Sequence, residues 1–124
     1  MGFLEKRRSP RVDIDTFISY YLLDENDKIF KGGFGETKNT SDVGLLIVTS
    51  EIIETEYILV AITDGRKNII EMKGRVIHSR KDKNGNIYTG IELIGDDDKK
   101  SEFARHLKKA HRMFQDASSL SVGF

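Results

Sequence analysis

The most constraining feature of this chain is an alternation. Val12, Ile14, Thr16, Ile18, Tyr20 and Leu22 fall on one face, with Asp13, Asp15 and Ser19 on the other. A period of two belongs to a half-buried β-strand, because an amphipathic helix repeats its apolar positions every three or four residues. A strand of this length presents two edges, and the chain must supply partners for both.

It does so several times. Five polar residues, Asp24-Glu25-Asn26-Asp27-Lys28, read as a turn, and a second strand starts at Ile29. Leu45–Val48 suits a short buried strand, and Tyr57–Thr63 is again β-rich, with Asp64-Gly65 as a turn signal. Ile70, Met72, Gly74, Val76 and His78 alternate with Glu71, Lys73, Arg75 and Ser79, and Asn84-Gly85 separates them from a last strand, Ile87–Ile94. Long β segments joined by polar turns predict an antiparallel sandwich or barrel. Gly32, Gly33 and Gly35 suggest a bulge, a bend at a barrel corner or a close backbone approach. Their spacing fits neither a dinucleotide fingerprint nor a Walker loop, which would need a helix directly after it.

The ending differs in kind. Asp96, Asp97 and Asp98 precede Phe103, Leu107, Ala110 and Phe114 at helical spacing, with Lys108, Lys109 and Arg112 towards the end. Acid first and base last suit the helix macrodipole. The expectation is one amphipathic helix of about four turns that caps an open barrel end or packs on a partner. The chain therefore divides into an arm over 1–11, a β domain with its helix over 12–116, and a tail over 117–124.

Charge narrows the function. Lys+Arg and Asp+Glu are both 20, so a general nucleic-acid binder, which needs a net basic surface, is disfavoured. Basic charge is nonetheless concentrated in residues 1–11, where Lys6, Arg7, Arg8 and Arg11 stand against Glu5 alone. There is no cysteine, which excludes disulfides and thiolate chemistry and suits a reducing cytoplasm. No run of 18 apolar residues occurs, so no membrane insertion is expected.

Nothing converges on catalysis. His78 lies on the apolar-alternating face of its strand and reads as a core or edge histidine. His106 and His111 are five apart, where a helical metal pair prefers four. The three aspartates are explained by a helix start, and Ser41 has no nearby histidine to activate it. No enzyme activity, metal or cofactor is expected.

Two short stretches remain. In Arg7-Arg8-Ser9-Pro10-Arg11, guanidiniums sit close enough to surround one anion, donating in a planar fork to phosphate or to the Hoogsteen edge of guanine. In Asn39-Thr40-Ser41-Asp42-Val43-Gly44, an amide suits a base edge and a hydroxyl a phosphate, while the glycine lets the main chain turn. Taken singly, the first is a solvated basic tail and the second a polar turn into the strand at Leu45.

Taken together, RxxxR at Arg7–Arg11 and, after 27 intervening residues, (D/N)xSxxG at Asn39–Gly44 resemble the PilZ domain family of bacterial cyclic-di-GMP receptors. The resemblance extends from about Glu5 to Phe114. Gly44-Leu45-Leu46-Ile47, Gly74-Arg75-Val76 and Tyr88-x-Gly90-Ile91 resemble successive strands of that family. It implies a six-stranded antiparallel β barrel with a C-terminal helix, and an arm that folds over one ligand face. By that resemblance Arg7 and Arg11 grip guanine and phosphate, and Arg8 assists. Asn39 bonds a guanine edge, Ser41 bonds phosphate or a neighbouring base, and Gly44 keeps the turn open. Lys6 stands where the family influences whether one ligand or a stacked pair binds. Val43 replaces a second glycine common among relatives, and Asp42 adds an acid beside the phosphate site. The implied function is a cytoplasmic cyclic-di-GMP receptor that changes conformation and signals to an effector protein, without DNA or RNA. The alternative is a PilZ-like adaptor that does not bind the ligand.

Overall fold

The alternating segments pair antiparallel and close on themselves. In the computed structural model, which describes residues 12–41, 43–63 and 69–122, six strands form a closed barrel. They are β1 (Val12–Leu23), β2 (Ile29–Thr40), β3 (Gly44–Thr49), β4 (Tyr57–Thr63), β5 (Ile69–Lys81) and β6 (Ile87–Ile94), followed by α1 (Asp97–Val122). Their order around the barrel is β1-β2-β3-β6-β5-β4. β1 and β4 make the closure, with Ser19 opposite Ala61 and Leu22 opposite Ile58. Closure removes the open edges that so long a first strand would otherwise expose.

The alternation fills the interior. Ile18, Tyr20 and Leu22 of β1 meet Leu45, Ile47, Ile58, Val60, Ile91 and Leu93 in one buried cluster. Phe103 and Leu107 of α1 join the same cluster, so the helix packs one apolar stripe against β1 and β5. Asp96 begins the helix, its Oδ1 accepting the Lys99 N–H at 2.8 Å, and Asp97 and Asp98 occupy the first turn. The helix continues to Val122, well past the four turns expected and through residues 117–122 of the segment expected to be a tail. No helix among the described residues is long and apolar enough to cross a membrane.

The glycines of β2 do not interrupt it. The strand runs through all three, and close approach explains two of them. A Cβ on Gly33 would stand 2.5 Å from the Tyr20 ring, and one on Gly35 2.8 Å from the Val48 carbonyl oxygen. The β1–β2 and β5–β6 turns are built alike. Asp24 Oδ1 accepts the N–H groups of Asn26 and Lys28, and Asp82 Oδ1 accepts those of Asn84 and Asn86. Asp27 and Gly85 hold the corresponding left-handed positions, at φ 61° and 87°.

Two irregularities change which side chains face outwards. On β2, Thr37 pairs with Ile47 and Asn39 with Leu46, leaving Lys38 as an extra residue. On β5, Val76 pairs with Ile91 and His78 with Gly90, leaving Ile77 as the extra one. Each bulge reverses the strand's phase. His78, expected in the core or at an edge, is in neither: the bulge turns it onto the exposed outer wall of the closed barrel and brings Ser79 inwards. There Ser79 Oγ accepts the Ile53 N–H at 2.9 Å and lies 2.9 Å from Thr89 Oγ1, which is 3.2 Å from Thr49 Oγ1.

Candidate functional site

The turn between β2 and β3 is tightly bonded. The Ser41 N–H donates to the Gly44 carbonyl at 2.9 Å, and Thr40 Oγ1 lies 3.3 Å from the carbonyls of Ser41 and Gly44. The Val43 N–H donates to Ser41 Oγ at 3.3 Å, and the Val43 carbonyl accepts from Leu93 on β6. Ser41 is only 2% exposed, so its hydroxyl first serves the turn. Val43 takes the place of a glycine without strain, since Asp27 is the only described non-glycine with positive φ. Gly44 has no positive φ either. Its requirement is steric: an added Cβ would strike the carbonyl oxygen of Ile91 on β6.

Asn39 is half-buried, and the Lys38 bulge sets it on the outer wall. It begins a row that crosses the barrel through Leu46 and Gly90 to His78. A Cβ on Gly90 would lie 2.7 Å from His78 Nε2, so the imidazole rests across the glycine. Next to this row Arg80 stands opposite Tyr88. Asn39, Leu46, His78, Arg80, Lys81, Asp82 and Tyr88 line an open depression of about 610 Å³. That volume is in the range of small-molecule sites. The sequence missed His78, Arg80 and Lys81 of β5 as lining residues, because only the Ile77 bulge brings this part of β5 into phase with Asn39.

The first residue of β1, Val12, lies opposite Thr40, and Asp13 lies opposite Asn39. Thr40 is flanked by Asn39 and Ser41. The arm with Lys6, Arg7, Arg8 and Arg11 thus joins the barrel at the Asn39–Gly44 turn. Those four residues and Asp42 lie outside the described residues. Lys38, a candidate partner for Asp42, pairs with Glu36. Among the described residues no group of His, Asp or Glu could hold a metal ion.

Comparison with known proteins gives a concordant result. The PilZ domain family model matches residues 5–109. Three solved structures share the fold. The PilZ domain with c-di-GMP of YcgR from Escherichia coli is 10% identical, with a TM-score of 0.61 over 92% of this chain and 98% of that one. The Bacillus subtilis inhibitor of motility (MotI/DgrA) is 14% identical, with a TM-score of 0.60 over 89% of this chain and 52% of that one. YcgR in complex with c-di-GMP, also from Escherichia coli, is 11% identical, with a TM-score of 0.59 over 94% and 50%. This chain spans about half the length of the latter two. No curated protein sequence matches.

Proposed function

We propose that this chain, which belongs to the PilZ domain family, is a receptor for cyclic-di-GMP that signals to a protein partner rather than an enzyme. PilZ domains are a cyclic-di-GMP-binding family of receptors and adaptors. One observation supports the reading for this chain: Val12, to which the arginine stretch is joined in sequence, is registered with Thr40, the residue between Asn39 and Ser41. Arg7 stands five positions before Val12, a reach of at most about 18 Å. Within that reach both Arg7 and Arg11 can share one ligand with Asn39. Arg7 and Arg11 hold phosphate and guanine, Arg8 assists, Asn39 bonds a guanine edge, and Ser41 and Gly44 shape the turn beneath. Lys6 adjusts whether one ligand or a stacked pair is held. Binding folds the arm onto the barrel and changes the surface offered to a partner, with no covalent step.

Melting the protein with and without cyclic-di-GMP tests this reading. A ligand that binds only the folded state at a hundred times its dissociation constant adds about 2.7 kcal/mol, so the midpoint rises by several degrees. GTP at the same concentration should leave it unchanged. An equal midpoint with and without cyclic-di-GMP would leave the second reading, a PilZ adaptor without ligand. The buried, turn-bonded hydroxyl of Ser41 favours that alternative, since it is not presented to solvent.

A further inference from the structure

The β1–β2 turn and the segment leading into β4 line an open depression of about 670 Å³. It lies where Leu23 meets Ile29, at the end of the β1–β2 pair remote from Val12 and Thr40. Its charge is one-sided. Asp24, Glu25, Asp27, Glu54 and Glu56 line it, against Lys73 alone. Lys73 is already satisfied, donating to both carboxylate oxygens of Asp27 at 3.1 Å. One oxygen of Asp24 is occupied by backbone N–H groups of the turn. Glu25, Glu54 and Glu56 are exposed, and among the described residues no cation is bonded to them.

Between these acids the wall is apolar. Phe30, 58% exposed, lines it with Tyr57 and Ile94. The Lys73 ammonium stands 4.5 Å from the centre of the Tyr57 ring, so the wall already holds one cation between an aromatic face and a carboxylate. Lys73 and Ile94 also line a second depression, of about 530 Å³, with Ile69, Ile70, Met72 and Phe103. Ile69 is 66% exposed there, and Glu71 and Glu102 are matched by Lys73 and Lys99. The two depressions make one groove, with an acidic half and an apolar half.

We propose that this groove docks the protein partner through a basic segment, its cations among Glu25, Glu54 and Glu56 and its apolar side chains against Phe30 and Ile69. Charge complementarity selects the occupant: uncompensated carboxylates beside an aromatic wall attract lysine or arginine and repel nucleic acid. This rests on the reading of the chain as one that signals to a protein, and it supplies the partner's chemistry. Along β1 the groove is about 35 Å from Val12, so ligand and partner are held at separate places.

Titrating the full chain into a dye-labelled nine-residue peptide of alternating leucine and lysine, followed by fluorescence anisotropy, tests this. That peptide should bind. With serine in place of leucine, binding should be about tenfold weaker or more, and with glutamate in place of lysine it should vanish. Phe30→Ser should weaken binding of the leucine–lysine peptide about tenfold, and Glu54→Gln combined with Glu56→Gln about two- to thirtyfold. Glu36→Gln, elsewhere on the wall and paired with Lys38, should stay within about twofold of wild type. Both groove glutamates are exposed, so their variant decides the matter if Phe30→Ser does not fold. A leucine–lysine peptide that does not bind, a serine–lysine peptide that binds as tightly, or glutamine variants that bind as wild type would overturn the groove. Melting the same samples with cyclic-di-GMP keeps the readings apart. A ligand-induced rise without peptide binding overturns the groove and leaves the receptor, whereas peptide binding at the groove without that rise supports the groove in an adaptor without ligand.

Discussion

At the scale of single residues, three glycines are needed for three different reasons, and substitution should separate them. Gly44 faces the Ile91 carbonyl, a backbone atom that cannot swing aside, so Gly44→Ala should destabilise the barrel by about 1–3 kcal/mol. Gly85 has nothing within 4 Å of an added Cβ but sits at φ 87°, so Gly85→Ala should cost about 1–2 kcal/mol through conformation alone. Gly90 faces only the flexible His78 ring, so Gly90→Ala should barely change stability. Urea unfolding of the three variants checks the ordering. The sequence indicated that Gly44 mattered but not which atoms crowd it, because the strand it approaches is nearly fifty residues away. Asn39 and Ser41 stood out only through the family resemblance, and the burial of the Ser41 hydroxyl was not legible.

At the scale of elements, the strands were legible wherever a period of two persisted. Val12 to Leu22, the two aspartate turns and the start of α1 all follow from local chemistry. The bulges at Lys38 and Ile77 were not legible, since an extra residue is accommodated by the partner strand and leaves the apolar pattern almost intact. That is why His78 read as a core or edge histidine. The phase reversal has a measurable consequence at Ser79, which serves the Ile53 N–H and the Thr89 hydroxyl inside the barrel. Ser79→Ala should cost about 1–3 kcal/mol by leaving a part-buried donor unpaired. An exposed serine, as unbroken alternation would place it, should give almost no change.

The tie between β2 and the segment after β3 gives a pH test. Lys31 donates to Glu51 at 2.7 Å, and this hydrogen bond, with the attraction between the charges, holds the ammonium above its ordinary value of 10.5. A raised lysine contributes stability that is fully present below the unfolded pKa and lost as pH rises through the folded one. Lys31→Met should therefore melt slightly below wild type from neutral pH up to about 10, and the gap should close only above 10.5. A gap that closes between pH 7 and 9 would contradict the assignment.

At the scale of the whole molecule, the pairing of β1 with β2 brings the start of β1 to the Asn39–Gly44 turn. The arginine arm and the Asn39–Gly44 turn stand 27 residues apart in the chain, yet β1 and β2 pair so that one begins where the other ends. A sandwich or barrel was legible from the strands and turns, and the family resemblance supplied the choice of a barrel and its six strands. The pairing of β1 with β4 was not legible, because closure depends on twist accumulated over all six strands. The central claim is that arm and turn act on one ligand. A double-mutant cycle by calorimetry tests it most directly, comparing cyclic-di-GMP binding by wild type, Arg11→Ala, Asn39→Ala and the double variant. If both side chains act on one bound nucleotide, each single change should weaken binding about tenfold or more, and their effects should be coupled by at least about 0.5 kcal/mol. Wild-type protein that gives no heat, or two losses that add independently, would contradict it.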